Sequence, residues 1–283
     1  MHTTASAAHA SPLGKTTTYC HERETCAPEL LFPLARQEKR TELGLTAQTL
    51  PFRGFDLWNA YEISWLNPKG KPVVAVGEFC VPADSPYLIE SKSLKLYLNS
   101  FNHAVFADAA ALKQQLEHDL SMAAQASVSV DLRLLEAQPQ VRIAYPEGVL
   151  LDTLDIDCHD YLPRPDLLHT QQETAREECL YSHLLKSNCL VTGQPDWAML
   201  VVRYFGAPID RAGLLRYIVS FRKHNEFHEQ CVERIYCDIL QRCAPQFLLV
   251  YARYTRRGGL DINPYRSNRA DWLSPDMARE VRQ

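Results

Sequence analysis

The sequence predicts an α+β chain built from two related modules. Strand-type alternation and helical periodicity follow one another in the order strand, strand, helix, helix, strand, strand; that order runs twice; and particular residues recur at a fixed offset. A length of 283 residues suits two domains of ordinary size. A hydrophobic fraction of 46% with 23% charged residues supplies a sizeable core and a solvated surface.

Residues 1–42 read as a flexible N-terminal segment, 43–164 as the first module and 165–283 as the second. The opening stretch is rich in Thr, Ala, Ser and His and lacks the apolar run of a signal peptide. Leu43–Pro51 is loop-like. Phe55–Leu66 and Pro72–Val81 are strands joined by the turn Asn67-Pro68-Lys69-Gly70. In Leu88–Phe101 the apolar positions Leu94, Tyr97, Leu98 and Phe101 recur at three and four, which makes a helix, with Ser91 or Ser93 as its N-cap. A second helix covers Ala107–Ala124, Ser127–Leu135 alternates as a strand, and Gly148–Ile156 is a further short strand. The second round begins with strands at Cys179–Leu185 and Trp197–Phe205. Helices follow at Leu214–Phe221 and Phe227–Leu240, then strands at Gln246–Tyr254 and Asp261–Ser267.

The repeat is legible in residues. Sliding the chain by 120 positions lays Ile89 on Ile209, Glu90 on Asp210, Leu94 on Leu214, Tyr97 on Tyr217, Ser100 on Ser220 and Phe101 on Phe221; a slide of 123 lays Gly70 and Pro72 on Gly193 and Pro195. The two copies have diverged in a complementary way. The first holds Glu90-Ser91-Lys92-Ser93 where the second has Asp210-Arg211-Ala212-Gly213, and the second holds Cys189 and Asp196 where the first has Leu66 and Val73. A site to which both modules contribute would explain that division.

Composition narrows the function. The net charge of −4 implies no bulk attraction to nucleic acid or to an anionic membrane, and no apolar run approaches the ~20 residues that span a bilayer. Nine cysteines without a repeating framework or a signal peptide point to reduced thiols and a cytoplasmic location. No metal is expected: CxxC and HExxH are absent, and the six-residue spacing of Cys231, Cys237 and Cys243 does not gather them on one helical face. No GxGxxG or Walker sequence occurs, so a nucleotide would bind outside those frames.

Four groups could carry chemistry. Cys189 precedes a Thr-Gly-Gln-Pro turn with Asp196 beyond it, so a nucleophilic sulfur and a proton-bearing carboxylate can share one space; the same pair would also serve as a strand end and a turn former. Glu90-Ser91-Lys92-Ser93 at a helix start, where backbone N–H groups are free, suits a phosphate, with Glu90 left to grip a donor-bearing ligand; a plain capped helix is the alternative. His228-Glu229 pairs a proton shuttle with a carboxylate able to accept two hydrogen bonds, or is a solvated helix start. Arg256-Arg257-Gly258-Gly259 could close over a phosphate or be a simple basic turn.

Taken together, Glu90-Ser-Lys-Ser-Leu-Lys-Leu-Tyr, Cys189-Leu-Val-Thr-Gly-Gln-Pro-Asp196 and Phe227-His-Glu229 closely resemble the NADPH-dependent 7-cyano-7-deazaguanine reductases of queuosine biosynthesis, in their two-module form. The resemblance covers nearly the whole chain after the opening segment. It implies tandem tunnelling-fold modules, each an antiparallel sheet with two helices on one face, assembled as a homodimer. It also implies reduction of the substrate's nitrile to a primary amine with two NADPH. Cys189 would form a thioimide, Asp196 would protonate the nitrogen and His228 would donate a later proton. Ile89, Glu90, Ser91, His228 and Glu229 would hold the 7-cyano-7-deazaguanine, and Ser91, Lys92, Arg257 and Gly258 would contact NADPH. Leu190 stands where many relatives have proline. Two rival readings remain: a thiol-dependent nitrile hydrolase or amidase, which needs no NADPH, and a non-catalytic purine- or pterin-binding protein, in which Cys189 is idle.

Overall fold

Long strands and two helix pairs divide the chain into two compact units. The computed structural model describes residues 10–15, 26–137, 143–273 and 279–283. One unit comprises Met1–Ala47, Asp56–Gln140 and Arg256–Asp261; the other comprises Gln48–Phe55, Val141–Thr255 and Ile262–Gln283. The expected single cut between residues 164 and 165 is therefore corrected. Strands Arg53–Leu66 and Leu260–Ser267 each have one end in either unit, so no cut at one point of the chain separates the two.

In the first unit the expected hairpin is present as β2 (Arg53–Leu66, from Asp56 onward) and β3 (Pro72–Pro82), after a short β1 (Pro33–Ala35) and helix α1 (Arg36–Glu42). Next come β4 (Tyr87–Ile89), α2 (Ser91–Asn99), α3 (Ala109–Ala124) and β5 (Ser129–Leu134). The sheet runs β5-β3-β2, with Phe79 opposite Val130 in the antiparallel β3–β5 pair, and β1 pairs antiparallel with β4. Residues 26–42 are not the flexible segment that composition suggested. Arg36, 2% exposed, places its guanidinium 2.5 Å from the buried Asp56 and donates to Ser85, and Arg40 donates to the carbonyl of Ala83. Buried arginines hold this segment, and apolar periodicity does not report them. Residues 1–9 and 16–25, including Cys20, lie outside the described residues.

The second unit contains β6 (Val149–Leu150), β7 (Arg176–Asn188), β8 (Pro195–Gly206), α4 (Arg211–Val219), α5 (His228–Cys243), β9 (Phe247–Tyr254) and β10 (Leu260–Ser267, from Ile262 onward). Its sheet order is β10-β9-β8-β7-β6; β7–β8, β8–β9 and β9–β10 are antiparallel, and only the two-residue β6 runs parallel to its neighbour β7. The expected strand Gly148–Ile156 stops after Leu150. Beyond it Asp152 turns back to accept from Ser182 Oγ at 2.6 Å and from the His183 N–H at 3.0 Å, an arrangement that ends strand pairing.

The repeat inferred from residues is also a repeat of contacts. Tyr97 donates to Asp119 at 2.7 Å and Tyr217 to Asp238 at 2.6 Å; Ser100 and Ser220 each donate to the carbonyl of the preceding tyrosine at 2.6 Å. Phe101 and Phe221 meet those tyrosines edge-on, at 5.0 and 5.3 Å. Both second helices end on a left-handed residue, Gln125 and Ala244. Burial of these aromatic pairs, each ring 0% exposed, anchors the helices to their sheets. The molecule thus consists of two α+β units with antiparallel sheets, as expected.

Candidate active site

On a strand, side chains alternate, so residues two apart share a face. On β8, Asp196, Ala198, Leu200, Val202 and Tyr204 are all at most 3% exposed and form the inner face, while Trp197 points outward at 38%. On β7 the inner residues are Leu180 and Ser182, then Leu185 and Ser187: the parity changes because the register shifts between Ser182 and Leu185. This bulge decides where the thiol points. Ser187 lies opposite Asp196, and the alternation carries on to Cys189, whose N–H still pairs with the Gln194 carbonyl at 2.8 Å. Without the extra residue, Leu184 and Lys186 would face inward and Cys189 outward.

Cys189 is 7% exposed. The turn after it is closed by the Gly193 N–H on the Cys189 carbonyl, with Gly193 at φ +66°. The sequence placed the sulfur at the lip of an exposed turn. The turn is exposed, but the cysteine is tucked under it.

Tyr254 ends β9 opposite Ala198, hence on the same inner face as Asp196. Its ring lies flat on His228, the first residue of α5, with centroids 3.8 Å apart and 2° between planes. His228 Nε2 is 3.4 Å from Asp196 Oδ1, while its buried Nδ1 has no hydrogen-bond partner among the described residues. The imidazole is therefore fixed by a carboxylate at one nitrogen and by a ring face, and its other nitrogen makes no hydrogen bond among the described residues. Glu229, the next residue of α5, is 2% exposed.

The segment leading into α5 is stitched to the residue before the cysteine. Asn188 donates through its backbone to the His224 carbonyl and through its amide to the carbonyls of Arg222 and His224 and to Asn225 Oδ1; its own carbonyl accepts from Glu226. Burial alone would raise the Glu226 carboxyl, but hydrogen bonds from His224 and Arg234 override it and hold the group at about 2. Below the site, burial pushes the Cys231 thiol up to about 12.

In the first unit, Ile89 ends β4 and Glu90 immediately precedes α2. The N-cap is not Ser91 or Ser93 but Glu90 itself, whose carboxylate accepts from the backbone N–H groups of Lys92 at 2.7 Å and Ser93 at 2.8 Å. Glu90 is 0% exposed, and burial raises its carboxyl against those bonds. The helix start expected to be open to a phosphate is thus occupied by its own side chain. Ser91 donates to Glu90 at 3.4 Å, and the Lys92 ammonium donates to the Lys15 carbonyl.

Arg257 and Gly258 sit in the same unit on a two-residue turn. Arg257 and Leu260 exchange hydrogen bonds at 2.9 and 3.3 Å, and Gly258 and Gly259 both have positive φ. Gly258 lies against the Lys95 side chain: a Cβ there would be 3.1 Å from Nζ. The turn and α2 therefore meet, with the Lys95 side chain against Gly258.

The sequence reading missed Asn188, Glu226, Arg234, Tyr254 and Lys95. Only His224 and Glu226, two residues apart and just before His228, carried a local signal; the others are recruited by pairing and packing. Among the described residues every cysteine is free, no cluster of His, Cys, Asp and Glu is arranged to hold a metal, and no helix is long and apolar enough to cross a membrane.

Two family models match the chain: "Nitrile reductase, 7-cyano-7-deazaguanine-reductase N-term" over residues 22–132 and "QueF-like protein" over residues 195–271. Proteins named NADPH-dependent 7-cyano-7-deazaguanine reductase are similar over nearly all of it. That of Dechloromonas aromatica (strain RCB) is 64% identical over 99% of this chain and 97% of its own. That of Azoarcus sp. (strain BH72) is 63% identical over 98% and 96%, and that of Cupriavidus pinatubonensis (strain JMP 134 / LMG 1197) is 57% identical over 96% and 98%.

Proposed function

The chain belongs to the family of NADPH-dependent 7-cyano-7-deazaguanine reductases, and from that premise we propose which of its residues carry the reaction. The protein is an oxidoreductase that converts the nitrile of 7-cyano-7-deazaguanine to an aminomethyl group, and NADPH supplies the two hydrides. One observation carries the assignment of roles: Asp196 lies on the inner sheet face 3.4 Å from His228, with Cys189 at the end of the adjoining strand.

A nitrile is a weak electrophile, so both a strong nucleophile and an acid are required. The Cys189 thiolate adds to the nitrile carbon; one π pair moves to nitrogen, where Asp196 delivers a proton, and the product is a thioimide bonded to Sγ. Once that carbon has been reduced, the C–S bond breaks, its electron pair returns to sulfur, and an imine is left. His228 provides the proton that the final amine needs, through the nitrogen not committed to Asp196. The buried position of Cys189 keeps water from diverting the thioimide to an acid.

His228 and Glu229 hold the substrate, Glu229 by accepting from the amino-pyrimidine edge. Ile89, Glu90 and Ser91 are the substrate contacts carried by the other motif. Glu90 has lone pairs left after capping α2, and these are what it offers. Ser91, Lys92, Arg257 and Gly258 hold NADPH. The protein works as a cytoplasmic homodimer that engages neither nucleic acid nor membrane directly.

The roles are tested by NADPH consumption and by calorimetric binding of 7-cyano-7-deazaguanine in Cys189→Ala and Asp196→Asn. Cys189→Ala abolishes turnover while ligand affinity stays within about tenfold. Turnover by Cys189→Ala would contradict the covalent route.

A further inference from the structure

Beside Arg257 stands a second guanidinium to which none of the roles above gives a task. Arg256 is exposed, and its one contact among the described residues is an aromatic face: Cζ lies 4.6 Å over the ring of Tyr61. No carboxylate of the described residues pairs with it, so its charge faces outward uncompensated.

The platform beneath it is rigid. The Tyr61 N–H donates to the Gly259 carbonyl at 2.9 Å, which ties the ring to the turn carrying Arg256, Arg257 and Gly258. The Tyr61 hydroxyl donates to Asp261 Oδ2 at 2.5 Å, and Asp261, 1% exposed, also accepts from Asn59 at 2.7 Å. Cation–π stacking orients a guanidinium without neutralising it. The result is a planar, charged donor set held in place and aimed at solvent beside the proposed cofactor contacts.

NADPH differs from NADH by one phosphate monoester. A guanidinium pairs with such a group through two parallel hydrogen bonds, a geometry that an ammonium cannot reproduce. We propose that Arg256, laid on Tyr61, reads the phosphate that distinguishes NADPH from NADH. The inference rests on the reading of Arg257 and Gly258 as cofactor contacts.

The test is kcat/KM with NADPH and with NADH, at saturating 7-cyano-7-deazaguanine, for wild type, Arg256→Ala, Arg256→Lys, Tyr61→Leu and Arg257→Ala. Loss of a charge-assisted pair lowers the NADPH:NADH preference about tenfold or more in Arg256→Ala, through KM for NADPH. Arg256→Lys restores only part of it, and Tyr61→Leu lowers it in the same direction. A preference in Arg256→Ala equal to that of wild type overturns the inference. If Arg257→Ala weakens NADPH while Arg256→Ala does not, only the role of Arg256 falls; if neither changes KM for NADPH, the assignment of the whole turn to the cofactor falls with it. Arg256 is exposed, so its variants keep the fold, which circular dichroism verifies.

Discussion

Tyr254 is given no chemical step in the proposed mechanism, yet it fixes the imidazole of His228, the proposed proton donor. Its ring covers His228 at 3.8 Å, and the plane so defined leaves Nε2 toward Asp196. Removing the ring frees a side chain that must be held to fractions of an ångström. Tyr254→Leu therefore lowers kcat about tenfold with a smaller effect on KM, and Tyr254→Phe, which keeps the stack, restores it; steady-state kinetics of the pair checks this. Glu226 makes a pH prediction. Its folded value of about 2 lies below the ordinary 4.5, so its contribution to stability is fully present above about pH 4.5 and is lost as pH falls through 2. Urea melts of wild type and Glu226→Gln should differ by roughly 3 kcal/mol near neutrality and converge toward pH 2. A gap that did not change between pH 7 and pH 3 would refute this.

At the scale of elements, the bulge in β7 is the feature that sets the site. Asp152 holds it by accepting from Ser182 and from the His183 backbone. Asp152→Ala takes the acceptor away from both donors and costs about 1–3 kcal/mol, read as a lower thermal midpoint. Much of this level was legible in the sequence. The hairpin β2–β3, the helices α2 and α3 and their counterparts follow from periodicity, and Tyr97, Ser100 and Phe101 announced the repeat that the structure reproduces bond for bond. What was not legible has a common cause. The bulge is one extra residue in an otherwise strand-like run, the Glu90 cap needs the side chain to fold onto its own helix, and Arg36 is buried where Asp56 and Ser85 meet it. The candidate residues were identifiable by type and spacing; their orientation depended on pairing between segments far apart in sequence.

At the scale of the molecule, the two units are interleaved along the chain: Gln48–Phe55 belongs with the unit that contains Cys189, and Arg256–Asp261 with the unit that contains Glu90. Arg36→Met leaves Asp56 buried without its guanidinium, a loss of about 3–5 kcal/mol in denaturant melts, whereas the double replacement Arg36→Met with Asp56→Leu recovers most of it. Within the second unit, Gly54 approaches so closely that a Cβ would lie 1.9 Å from the Tyr265 carbonyl oxygen, so Gly54→Ala forces the backbone apart and lowers the melting temperature. The proposed homodimer is checked by sedimentation, where the mass found should be twice 32.3 kDa.

The central claim is that Cys189 bonds to the nitrile carbon, and intact-protein mass spectrometry reads that bond directly. Wild type and Cys189→Ala are mixed with 7-cyano-7-deazaguanine without NADPH. Wild type should gain the full mass of the ligand, Cys189→Ala should gain nothing, and adding NADPH should discharge the adduct as the aminomethyl product. An unmodified wild-type protein, or an adduct that forms equally in Cys189→Ala, would contradict the account.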